Sequence, residues 1–294
     1  MEITERAVSY FSEGDRIAAV VYTAPGGPAR KPAIVLCHGF TAIKEVILPD
    51  YARAFAEAGF VAVAFDYRGF GESGGAPGRL IARRQIEDIR NSVTFARSLP
   101  EVDAERVGLW GTSYGAGNVI VAAAEDPRVR CVTAQVGFSD GGRRMRERPA
   151  EETAPMRAMI EAERTKRVLT NEPTMVEPLQ LLSDPETVGF FSEARKQHPR
   201  LSQPISMEFI EATQAHRPIV SAAELTCPLL LIAAELDSVT PAKDSEDLFE
   251  AAPEPKKLVI LPGVRHYEIY SGEPLRRSSA EAVAWFSQHL TPGS

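Results

Sequence analysis

The chain has 294 residues, 44% hydrophobic and 25% charged, enough to bury a sizeable core without the help of disulfides. Its net charge of −7 argues against nucleic-acid and anionic-membrane partners, since both select a basic face. No apolar run reaches the roughly 18 residues of a membrane helix, "MEITERAVSYFSEGD" is charged from its start, and three scattered cysteines (Cys37, Cys131, Cys227) read as buried free thiols, so the expectation is a cytoplasmic protein.

In chain order, apolar runs predict strands over 7–11 and 17–22, joined through the Gly-containing turn "SEGD" as an antiparallel hairpin. Further runs follow at 33–37, 61–65, 107–110, 129–136, 229–233 and 258–261. These six are nearly continuous in apolar residues, as strands covered on both faces are. Between them lie helical patterns: "PDYARAFAEAG", "LIARRQIEDIRNSVTFARSL", "AGNVIVAAAED", "KDSEDLFEAA" and "SSAEAVAWFSQHL". Alternation of strand and helix predicts a doubly wound, mostly parallel α/β sheet of eight strands.

The rhythm breaks at 141–225, where no convincing buried strand occurs. Met156, Met159 and Ile160 fit a helical face, as do Phe190 and Phe191 with their neighbours. The segment therefore reads as a helical cap inserted into a core made of 1–140 and 226–294. Its apolar side chains, with Met207 and Phe209, are expected to pack within the cap or over a pocket mouth. A dimer contact is the other role open to it.

The chemistry centres on "VGLWGTSYGAGNVI", where Ser113 stands between Gly111 and Gly115 at a strand-to-helix turn. A serine there is commonly a helix N-cap. In a Gly-x-Ser-x-Gly turn it is instead thrust above the sheet as a nucleophile. Such a hydroxyl needs a base, and of five histidines His266 in "LPGVRHYEIY" follows the last predicted strand. His289 falls in the last turn of the terminal helix, where a partly positive ring suits the dipole. The acid that orients the base is expected at Asp237 in "LLLIAAELDSVTP", with Asp140 as runner-up and Glu235 and Asp244 less well placed. Oxyanion donors are expected from the backbone N–H groups of Tyr114 and, in "IVLCHGFTAIKE", Phe40. His38 reads as buried and structural, Lys44 and Glu45 as solvated charges. Nothing calls for a metal or cofactor.

With these residues in place, "HGF", "FDYRGFGESGG", "GTSYG", "ELDSVTP" and "GVRHYEIY" resemble the α/β-hydrolase superfamily in order and spacing, across nearly the whole chain. The resemblance is nearest to capped serine hydrolases grouped with dienelactone hydrolases, acetyl-xylan esterases and polyketide-processing esterases. Dienelactone hydrolases carry cysteine, and haloalkane dehalogenases aspartate, where this chain has Ser113. Asp66 is similar to a residue that shapes the fold near the pocket, and Arg68 or backbone is its expected partner. The resemblance implies a serine esterase acting on a small to medium-sized, partly apolar molecule. Acyltransferases, amidases, C–C bond hydrolases and non-catalytic binding proteins share the scaffold and stay open.

Overall fold

A computed structural model describes residues 2–290. β1 (Thr4–Ser12) and β2 (Asp15–Thr23) form the antiparallel hairpin, with Thr4 opposite Thr23 and Ser12 opposite Asp15. β3 (Lys31–Cys37), β4 (Val61–Phe65), β5 (Val102–Thr112) and β6 (Val129–Gln135) follow. After two short strands, β7 (Met175–Val176) and β8 (Ile205–Ser206), come β9 (Leu229–Ala234) and β10 (Lys256–Leu261). The main sheet runs β1-β2-β4-β3-β5-β6-β9-β10, parallel from β4 onward. Each of the eight expected runs is one of its strands.

Helices cover both faces, which is why β4 and β9 are buried along their whole length and β3 at every residue but Pro32. α1 (Leu48–Glu57) and α11 (Gly272–His289) pack on one side, bringing Tyr51, Phe55 and Phe286 against Ile34, Leu36 and Trp110. α2 (Ala82–Ser98), α3 (Tyr114–Glu125) and α10 (Ala242–Ala251) pack on the other, with Ile89, Val119 and Leu248 in that core. β1 lies at the sheet edge and is mostly exposed.

Residues between β6 and β9 form α4 (Arg143–Glu147), α5 (Ala150–Thr170), α6 (Pro178–Leu181), α7 (Pro185–Gln197), α8 (Glu208–Ala215) and α9 (Pro218–Ala222). Two departures from expectation occur here. β7 and β8 pair as a small antiparallel ribbon, and Ile205 and Ser206 are buried. α5 buries only Thr153 and Glu163, leaving Met156 exposed and Met159 and Ile160 half-buried, and Met156 faces an open chamber that it lines with Phe209 and Ile210 of α8.

The parallel sheet depends on the aromatic contact between α1 and α11. Phe286 is fully buried, with its ring 5.7 Å from Phe55 and 6.2 Å from Phe60. Phe286→Ala is expected to cost about 3–5 kcal/mol through the cavity it leaves, read from the urea midpoint at unchanged slope.

Candidate active site

β5 ends at Thr112 and α3 begins at Tyr114, so Ser113 alone makes the reversal, at φ 54° and ψ −121°. That left-handed backbone is rare for any residue with a side chain, and it holds the hydroxyl clear of the helix. The glycines make it sterically feasible: a Cβ on Gly111 would stand 2.4 Å from Gly115 O, and one on Gly115 2.4 Å from Cys37 O. Ser113 occupies the N-cap position of α3, yet its side chain makes no capping hydrogen bond. The cap interpretation therefore fails.

The Ser113 hydroxyl lies 3.2 Å from His266 Nε2, and His266 Nδ1 lies 2.7 Å from Asp237 Oδ2. His266 and Asp237 are both buried, so the pair is shielded from water. Asp237 Oδ1 accepts the N–H groups of Val239 and Thr240, each at 2.8 Å, which fixes the carboxylate within its own turn. Thr240, absent from the sequence reading, places its hydroxyl 3.0 Å from Asp237 Oδ2, 3.2 Å from His266 Nδ1 and 2.7 Å from Val136 O. Its only signal in sequence was its place three residues after Asp237. Val136 takes φ 42°, unusual for a β-branched residue, and so turns its carbonyl toward Thr240.

The competing acids have other partners. Asp140 accepts from Arg146, Arg217 and Gly142 N–H. Burial opposes its charge, but the two guanidinium groups hold the carboxyl below its ordinary range. Glu235 takes Gly263 N–H at 2.7 Å and so braces the loop that carries His266. Asp244 accepts Ser139 N–H at 3.1 Å. His38 is buried against Tyr67, and burial lowers its pKa. Burial likewise lowers that of His289, against the dipole-stabilised cation expected there. All three cysteines are buried and free, and burial raises each thiol, that of Cys227 to about 12.

The loop after β3 carries Phe40 against the serine, since a Cβ on Gly39 would come within 2.9 Å of Ser113 Cβ. Among the described residues neither Phe40 N–H nor Tyr114 N–H donates to an acceptor. Lys44 on this loop corrects the expectation of a solvated charge, being only 4% exposed. Its ammonium lies 2.8 Å from both Asp66 and Glu72 and also bonds Glu45, while Asp66 Oδ1 accepts its N–H at 2.7 Å. Burial works against the Lys44 cation, yet these carboxylates raise its pKa above the ordinary value. Asp66 thus pairs with Lys44 and the Glu72 N–H, whereas Arg68 pairs with Asp88.

Two chambers meet at Ser113. The larger, about 240 Å³, is walled by Phe40, Tyr114, Phe138, Leu182 and Phe209. The smaller, about 30 Å³, is lined by His266, Tyr267, Tyr270, Phe190 and Phe191. The inserted helices contribute to both: Phe209 packs on Phe40 at 5.0 Å, and Phe190 stacks on Tyr267 at 4.5 Å. Thr213 meets the Tyr114 hydroxyl at 3.0 Å, and Glu186 accepts Tyr267 N–H at 2.9 Å. Among the described residues no cluster of side chains has the make-up of a metal site, and no helix is long and apolar enough to cross a membrane.

The model of the Hydrolase_4 family, described as serine aminopeptidase, S33, matches residues 28–271. The chain belongs to this family of α/β-hydrolases. An Escherichia coli protein, the "uncharacterized 31.7 kDa protein in traX-finO intergenic region", is 38% identical over 99% of this chain and 100% of its own length. Polyketide transferase grgF of a Penicillium species is 30% identical, covering 83% of this chain and 84% of its own. Among solved structures, DcsB in complex with its substrate analogue superposes with a TM-score of 0.86 at 25% identity, over 98% of this chain and 99% of that one. The family is one of serine hydrolases, and the eight-stranded sheet is that of α/β-hydrolase structures.

Within this α/β-hydrolase site the Lys44 ion cluster has a measurable consequence. Lys44→Met leaves Asp66 buried without its counter-charge and is expected to cost about 3–5 kcal/mol, read from the denaturant midpoint. A loss under 1 kcal/mol, roughly that of an exposed pair, would contradict the burial described.

Proposed function

We propose that the protein is a serine hydrolase that cleaves a carboxylic ester, thioester or lactone of a small to medium-sized, partly apolar compound through an acyl-enzyme. The observation that carries this reading is the hydrogen-bonded series from Ser113 through His266 to Asp237, set at the meeting of two apolar chambers. Ser113 Oγ attacks the carbonyl carbon as its proton passes to His266 Nε2. The carbonyl oxygen becomes an oxyanion facing the Phe40 and Tyr114 N–H groups. Asp237 Oδ2 accepts a hydrogen bond from Nδ1–H, holds that tautomer and stabilises the imidazolium.

Collapse breaks the bond to the leaving group, which takes the proton from Nε2. Water then repeats the sequence on the acyl-enzyme, releasing the acid and restoring Ser113. His266 lines the small chamber but not the large one, so the leaving group departs through the small chamber. The acyl group then fills the large one. In this reading the insertion at 141–225 is a cap that selects the acyl group, since Leu182, Phe209 and Thr213 form part of that chamber.

Among the finer groupings we place the chain beside polyketide-processing members. Ser113 separates it from dienelactone hydrolases proper, and one relative is named a polyketide transferase. That name also favours a second reading, acyl transfer, in which an alcohol or amine captures the acyl-enzyme before water does. Product analysis with and without an added alcohol distinguishes the two.

The expected outcome of Asp237→Asn is a fall in kcat of about 10⁴, with His266→Ala at least as severe. Asp140→Asn should stay within a few-fold of wild type. The reverse order would move the acid to Asp140. Burial lowers the pKa of His216, packed against Tyr114, to about 4, so that ring is uncharged at neutral pH.

A further inference from the structure

Four charged side chains line the large chamber: Asp140, Arg143, Arg144 and Asp244. Three of them are answered within the protein. Asp140 is held by Arg146 and Arg217, while Arg143 lies against Asp244 and Asp247. Arg144 is different: among the described residues no carboxylate lies within 4.0 Å of its guanidinium. Among the described residues Arg144 is the one charged side chain of the inner lining without an ion pair.

Position adds a second observation. Arg144 also lines an outer chamber of about 450 Å³, which shares Gly141, Phe209 and Thr213 with the inner one. Arg144 therefore stands where the two chambers join. The outer walls are again largely apolar, with Met145, Met156, Leu181 and Ile210. Arg148 and Glu152 line them as well without pairing among the described residues, so the outer lining holds one more cation than acid, and Arg144 is the cation of the two that faces both chambers. Residues that pack a wall need no charge, and an arginine wanted only for solubility gains nothing from facing two cavities.

We infer that Arg144 is a specificity determinant that receives a carboxylate at the far end of the substrate's acyl group. The inference rests on the serine hydrolase reading above, which puts the acyl group in the chamber Arg144 lines. An acyl group starting at Ser113 lies among the apolar walls of Phe40, Tyr114, Phe138, Leu182 and Phe209, and of the two cations that line the same chamber Arg143 is held by Asp244 and Asp247 while Arg144 is not paired. Its chemistry is then an ester group, an apolar span and an anionic end. A planar guanidinium matches a carboxylate with two parallel N–H donors, which a neutral or cationic end cannot use. Because Arg144 makes none of the hydrogen bonds of the Ser113–His266–Asp237 series, it binds ground state and transition state alike, and its effect falls on KM.

The test compares monomethyl suberate with methyl octanoate, equal in length and differing in the terminal carboxylate, on the full chain at low salt. Wild type should prefer the half-ester. Arg144→Ala, at an exposed position, should raise KM for the half-ester roughly tenfold, leave its kcat unchanged and spare methyl octanoate. Arg144→Lys should recover part of the loss, and Arg144→Glu should reverse the preference. Equal turnover of the two esters by wild type overturns the inference while the hydrolase reading stands. So does an equal loss on both esters in Arg144→Ala, the mark of a merely structural role. Absence of Ser113-dependent turnover of either ester overturns the hydrolase reading and this inference with it.

Discussion

The left-handed backbone of Ser113 is the constraint around which the rest of the site is arranged. Holding a residue with a side chain at φ 54° and ψ −121° costs on the order of 1–3 kcal/mol, so the surroundings must over-determine it. They do so from both sides of the turn. Ser113 N–H donates to Gln135 O at 2.9 Å, and Ser113 O accepts from Ala116 N–H at 3.0 Å. Gly39 and Gly115 let the loop after β3 close on the same point, where any Cβ would collide. A second strained residue, Val136, stands at the end of the neighbouring strand and turns its carbonyl to the Thr240 hydroxyl. Strain thus occurs at the ends of β5 and β6, where the serine, the histidine and the acid meet, and again on the loop after β3, where Thr41 and Ile47 take φ 50° and 69°.

Charges placed away from the serine then fix the loops around it. Lys44 and Asp66 tie the Phe40 loop to the chain following β4. Arg200 reaches Glu72 at 3.0 Å from the inserted segment, and Gln203 reaches Gly69 O at 2.6 Å. Ser206 N–H donates to Gly78 O at 2.9 Å, so the small ribbon is stitched to the same loop. With Glu186 at the His266 loop and Arg217 at Asp140, the segment between β6 and β9 meets the loops of the main sheet at several separate points. Its apolar anchors, Phe190 and Phe209, sit directly over the two chambers.

The strands were legible because burial on both faces writes itself into the sequence as uninterrupted apolar runs such as 33–37 and 61–65. The Ser113 turn was legible because glycines at 111 and 115 have few reasons to flank a serine at a strand end. Lys44 was not, because its burial depends on Asp66 and Glu72, brought to it by tertiary folding and not by local pattern. Of the two partners expected for Asp66, backbone is found in the N–H groups of Lys44 and Glu72, whereas Arg68, near in sequence, is taken by Asp88, a residue of α2. The apolar stripe of α5 misled in the opposite direction, since helical periodicity shows a face without showing whether anything covers it. The ribbon of β7 and β8 is two residues long on each side, too short to register as a periodic signal.

The proposed function stands on Ser113 as the reactive nucleophile and on His266 as the group that activates it. Incubation with a small alkyl fluorophosphonate, followed by peptide mapping in a mass spectrometer, reads both at once. One phosphonyl group per chain is expected on the peptide containing Ser113, with labelling slowed by orders of magnitude in His266→Ala. Modification of a cysteine or another serine, or labelling that proceeds equally fast without His266, would contradict it.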